Sequence, residues 1–132
     1  MSRGKRFSFL GLTLVAGAVY DAAFGLPILF FPAPLARFLG IVLPRTEVYL
    51  RLNGIFLLIL ALFYLVTALD PDRHPGNVIV AILGRAMGGI FFCGYALWFD
   101  GGPVFLLLGS ADLGFALIHT WARGRKRSSG AS

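Results

Sequence analysis

Four apolar runs, each about twenty residues long and each carrying a single charged side chain, dominate the sequence. They cover residues 7–31 with Asp21, 48–69 with Arg51, 77–99 with Arg85, and 103–121 with Asp112. A helix that crosses the hydrocarbon core of a bilayer needs about 20 mostly apolar residues. Backbone polar groups have no water to bond there, so each run must satisfy its own N–H and C=O groups as a helix. A membrane β-barrel would alternate polar and apolar residues, whereas these runs are continuous. The expected fold is therefore all-α: a single membrane domain over residues 1–132, built as a four-transmembrane-helix bundle. Composition points the same way. The chain is 58% hydrophobic and 14% charged, against about 45–50% and 25% in soluble domains. That excludes an ordinary soluble globule, and it is far too apolar for a disordered chain.

The connections are short. Pro32-Ala33-Pro34 is expected to end the first span, because proline cannot continue a helical ladder. Residues 35–43 are too few to cross, yet Leu35, Phe38, Leu39 and Val42 recur at helical spacing beside Arg37. This predicts a short interfacial helix between spans one and two. Residues 70–76 form a polar turn with two prolines, and Asp100-Gly101-Gly102-Pro103 forms a tight one. Basic tails are expected at 1–6 and 122–132. With four spans, both ends and the 70–76 turn share one side. That side carries Arg3, Lys5, Arg6, Arg73, Arg123, Arg125, Lys126 and Arg127, and the other carries Arg37 and Arg45. The positive-inside rule then puts both termini in the cytoplasm and the chain in the cytoplasmic membrane. Cleavage of a signal peptide after Ala16-Gly17-Ala18 would leave residues 19–31, too few to span, so the first span is expected to remain intact.

The charged groups inside the spans are costly to bury, at roughly 2.5–3.5 kcal/mol or more each near a helix centre. Depth suggests how they pair. Arg85 and Asp112 each lie about nine residues into their spans, roughly 13 Å deep, so adjacent antiparallel helices would bring them together near the midplane. Asp21 and Arg51 both fall in the outer halves of their spans and form a second expected pair. Glu47, four residues before Arg51 on the same helical face, competes for it. Asn53 and Tyr64 lie along a different line of the second span. Asp112 and His119 share a face two turns apart. Asp21, Glu47, Arg51, Asn53, Arg85, Asp112 and His119 thus make up the candidate intramembrane polar cluster. Gly17, Gly84 and Gly88 are the candidate close-packing residues, with Gly84 and Gly88 forming a GxxxG.

Several chemistries find little support. The one cysteine, Cys93, has no partner for a disulfide or a CxxC motif. Of the two histidines, His74 sits in a turn before Pro75, so a haem ligated by both is disfavoured. Two histidines and distant carboxylates do not make a zinc site. Ser110 points to a different face from Asp112, so no nucleophilic triad is expected. There is no phosphate-binding glycine loop with its lysine. The short basic tails come without any nucleic-acid recognition module. Tyr20, Tyr95, Trp98 and Trp121 read as interface anchors.

Four short spans, Asp21 in the first, Arg51 and Asn53 within "RLNGIF" at the head of the second, Arg85 in the third and Asp112 in the last resemble the DoxX-like small membrane proteins. The likeness covers residues 10–121. It implies a four-helix membrane bundle and a place as a subunit or assembly aid in membrane oxidoreductase systems. The missing cysteine pair argues against direct thiol redox chemistry. The leading expectation is a non-catalytic accessory subunit or assembly factor, not an enzyme, with no resident cofactor. Its partners would be the bilayer together with a membrane protein or a second copy, and no nucleic acid. One alternative is a small transporter or binder of a hydrophobic or anionic molecule, held by Arg51 and Arg85. Another is a quinone-linked redox subunit in which Asp112 and His119 relay a proton.

Overall fold

The computed structural model describes residues 7–99 and 101–129. The described residues are all-α, in five helices: α1 (Phe9–Phe30), α2 (Pro32–Leu39), α3 (Glu47–Leu69), α4 (Pro75–Trp98) and α5 (Pro103–Ser129). All but α2 are long and apolar enough to cross a membrane. At 1.5 Å per residue they reach about 33–40 Å. Asp100 and the basic residues Arg3, Lys5 and Arg6 lie outside the described residues. The chain forms two compact units. One holds the residues up to Leu14 together with those from Thr67 onward, and the other holds Val15–Val66.

In the Val15–Val66 unit, α1 and α3 approach through glycine. A Cβ on Gly54 would lie 2.9 Å from the Gly25 carbonyl oxygen and 2.9 Å from the Leu29 nitrogen, and one on Gly25 would lie 3.0 Å from the Gly54 oxygen. Only hydrogen at these two positions lets the backbones come so near.

Helix α2 corrects two expectations. The prolines of Pro32-Ala33-Pro34 open this helix instead of merely closing α1, and it spans Pro32–Leu39, not 35–43. Phe31 breaks the ladder with φ −135° and ψ 56°, because a residue before proline is pushed away from helical backbone. Proline then suits the first turn, where no N–H partner is needed. Gly40 closes α2 in the left-handed region at φ 69°. Its N–H donates to Arg37 O at 3.3 Å, and Ile41 N–H donates to Ala36 O at 3.0 Å. That pairing satisfies two of the end carbonyls and stops the helix four residues earlier than its apolar spacing suggests. Pro32 and Ala36 are buried, while Phe38 is 86% exposed, as an amphipathic interfacial helix requires.

In the other unit, α4 and α5 form a tight hairpin. Pro103 starts α5 directly after Gly102, whose φ of 85° only glycine adopts readily. Beside the turn, the Phe105 ring stacks on Phe92 at 5.9 Å and meets Tyr95 edge-on at 5.6 Å. The close approach of the two helices runs through Gly89 and Gly109. A Cβ on Gly89 would lie 2.6 Å from Leu113 Cγ, and one on Gly109 would lie 2.6 Å from Cys93 Sγ. The expected glycine pair is thus displaced. A Cβ on Gly84 would meet no atom within 4 Å, because its face of α4 is turned away from α5. Helix α5 also continues beyond the expected boundary at 121. The basic stretch assigned to a tail remains helical to Ser129, since its Lys and Arg residues are good helix formers suited to a helix C-terminus.

These contacts distinguish two kinds of glycine. Gly54→Val should lower stability in detergent by about 1–3 kcal/mol, the usual cost of overpacking a close contact. Gly84→Ala should be neutral or stabilising by up to about 1 kcal/mol through helix propensity. Thermal unfolding followed by circular dichroism measures both.

Candidate functional site

Arg85 and Asp112 sit ten and nine residues from the starts of α4 and α5. The tight turn places these depths opposite each other. Arg85 Nη1 donates to Asp112 Oδ1 at 2.8 Å, and the two side chains are only 5% and 12% exposed. This is the pair that the depth arithmetic anticipates. A charge-assisted contact of this length is about twice as strong as a neutral hydrogen bond. Gly88, one turn beyond Arg85, makes room for the carboxylate: a Cβ there would lie 3.2 Å from Asp112 Oδ2. Gly88 therefore serves the ion pair, while Gly89 carries the backbone approach. The Phe115 ring, one turn after Asp112, lies 4.8 Å from Arg85 Cζ and offers its negative face to the cation.

The same face of α5 leads to His119, which is fully buried. Its ring lies 5.9 Å from Phe115, and its Nδ1 is 3.0 Å from Thr13 Oγ1 on α1. Thr13 Oγ1 in turn donates to Leu10 O at 2.8 Å. A hydroxyl has one proton. With that proton on Leu10 O, Thr13 accepts from His119 Nδ1–H, and this assigns the tautomer from the network. A second polar tie joins α4 to α3, where Asn77 Nδ2 donates to Thr67 Oγ1 at 3.4 Å.

The remaining candidates belong to the Val15–Val66 unit, and here the expected Asp21–Arg51 pair does not form. Arg51 donates from Nη2 to Glu47 Oε2 at 3.1 Å and from Nη1 to Leu29 O at 2.9 Å. Its side chain is 45% exposed, whereas Asp21 is buried. The nearer carboxylate on the same helical face prevails. Leu29 adds a second attraction, because it lies in the last turn of α1, where carbonyls lack helical donors. Asn53 is exposed on α3, apart from this contact, and Gly17 is buried on α1.

Sequence reasoning therefore finds Arg85 with Asp112, but for Arg51 it expects Asp21 and names Glu47 only as the competitor. It gives no sign of Thr13, Leu29 or Gly54 as contact residues, whereas Gly25, Gly89 and Gly109 lie at helical spacing from Asp21, Arg85 and Asp112, on faces that such small residues mark as inward. A threonine or a backbone carbonyl in an apolar run carries no signal of a partner remote in sequence. For Gly54, spacing alone does not show which face meets another helix. No protein-family model, curated protein or solved structure matches the chain. The resemblance to DoxX-like proteins gains no support from these comparisons and stands on the residues quoted for it.

Removing one partner of a buried ion pair strands the other charge. Arg85→Ala should destabilise the protein by about 3–5 kcal/mol, and Arg85→Ala with Asp112→Ala should recover much of that loss. Thr13→Val should cost about 1 kcal/mol, the value of one hydrogen bond. Membrane abundance and unfolding in detergent would register all three.

Proposed function

We propose that the chain is a non-catalytic accessory subunit or assembly factor of a membrane complex, set in the cytoplasmic membrane with both ends in the cytoplasm. One observation carries this reading: the central ion pair is closed. Arg85 and Asp112 bond each other beneath an aromatic ring, with 5% and 12% of their side chains exposed. Charges that carry a solute or a proton need access to water along the path. Charges that hold two helices in register do not, although such pairs serve register only in some proteins. The lipid-facing surface, rich in exposed Phe, Leu, Ile and Val, leaves ample area for a membrane partner. The DoxX-like resemblance favours the same class of role. The inward placement of both ends rests on eight basic residues against two.

A second reading has one observation in its favour. Asp112, Phe115 and His119 follow each other along a buried face of α5, with His119 bonded to Thr13. Such a line suits a quinone-linked subunit that passes a proton.

Two measurements separate these readings. Native mass spectrometry of the protein, released from its own membrane in mild detergent, should show a stoichiometric protein partner. A bare monomer or homodimer carrying a quinone or another small molecule would overturn the accessory role. Exchanging the charges, Arg85→Asp with Asp112→Arg, should restore the abundance lost in Arg85→Ala and retain the partner. A swapped protein that is abundant yet no longer handles a small molecule would assign the pair to chemistry.

A further inference from the structure

The basic end of α5 borders a cleft that the ion pair does not reach. This cleft, of about 460 Å³, lies in the unit containing α4 and α5. Leu10 of α1 and Val78 of α4, both buried, form its apolar floor. Arg123, Lys126 and Arg127 line one side, and Asp72 of the α3–α4 turn lines the other. The three basic residues occupy positions i, i+3 and i+4, so continuation of α5 as a helix gathers them on one face. In an unstructured tail they would be dispersed. Lys126 Nζ is held at 2.6 Å from Asp72 Oδ2. Three cations against one carboxylate leave the lining positive.

Neighbouring rings fix the depth of this cleft in a membrane. Phe9 and Trp121 meet edge-on at 5.4 Å, and Arg125 lies across both, its Cζ 5.5 Å and 5.1 Å from the two ring centroids. Tryptophan concentrates at the boundary between hydrocarbon and headgroups. A second cleft, of about 230 Å³, runs beside this shelf and shares Leu10 and Lys126 with the first. A tryptophan at such a boundary sets the cleft just past it beside the headgroups, and this cleft pairs cations with an apolar floor.

We propose that this cleft binds the phosphate of an anionic phospholipid headgroup. Arg123 and Arg127 bond the phosphate oxygens, since guanidinium matches their geometry with paired donors. Lys126 adds a point charge when it turns from Asp72, and the glycerol end of the lipid rests on Leu10 and Val78. Asp72 competes with the ligand for Lys126 and so sets the affinity. A free phosphate offers the same oxygens but makes no use of the apolar floor.

The test uses the full chain in a zwitterionic detergent, with Trp98→Phe in the background so that Trp121 alone reports. Dioctanoyl phosphatidylglycerol should change the Trp121 fluorescence saturably, while dioctanoyl phosphatidylcholine should not. Arg123→Gln with Arg127→Gln should weaken the phosphatidylglycerol response at least tenfold. Arg37→Gln with Arg45→Gln, which removes the same charge elsewhere, should leave it unchanged. Asp72→Asn should tighten binding severalfold, and this gain of function keeps the test independent of any folding defect in the arginine variant. Equal responses to both lipids, or equal losses in the two double-arginine variants, would overturn the proposal. Inorganic phosphate binding as tightly as the lipid would show a site supplied from solution, and would overturn the lipid assignment.

Discussion

Lipid tails are as apolar as leucine, so helices in a bilayer gain little by turning their leucines inward. What holds them is close backbone approach, with its many small dispersion contacts, and polar groups that find each other. Each unit of this protein uses both. Gly89 and Gly109 let α4 and α5 touch, and Arg85 and Asp112 lock the same pair of helices at mid-depth. Gly25 and Gly54 do the first task for α1 and α3, and Arg51 on the Leu29 carbonyl does the second. The glycines and the charges are not separate features: a Cβ on Gly88 would crowd the Asp112 carboxylate at 3.2 Å.

Three arginine contacts show how environment sets the use of one residue type. Arg85 is buried, with a carboxylate at its edge and a ring on its face. Arg51, near a helix end and half exposed, divides its donors between Glu47 and a carbonyl of the last turn of α1. Arg125 is near two aromatic rings, Phe9 and Trp121, where α5 leaves the apolar zone. Of the three, only Arg85 has its side chain buried.

Much of this was legible from the sequence, and the failures share a cause. Span number and the Arg85–Asp112 pair follow from apolar run length, turn length and depth, all of which are one-dimensional quantities. The Asp21–Arg51 pairing failed because depth says nothing about rotation around the helix, and Glu47 already shared the face of Arg51. Spacing to Gly88 singles out Gly84; Gly88 does face α5, at Asp112, but Gly84 is exposed while its neighbour Arg85 is buried. A step of one residue turns a helix by about 100°, enough to exchange lipid for protein. The limits of α2 are hidden for a local reason: a proline that ends one helix also suits the beginning of the next, and Gly40 caps α2 directly after Leu39.

The separation of Arg85 and Asp112 along the chain, 27 residues, is also an interval of time. At synthesis rates of about 5–20 residues per second, the arginine emerges roughly 1 to 5 s before its aspartate. During that interval α4 carries an unneutralised cation and has no reason to commit to lipid. The short turn after Trp98 delivers α5 immediately behind it. Once α5 follows, Arg85 and Asp112 cancel within the apolar stretches of the hairpin, while the cations from Arg123 onward lie beyond those stretches.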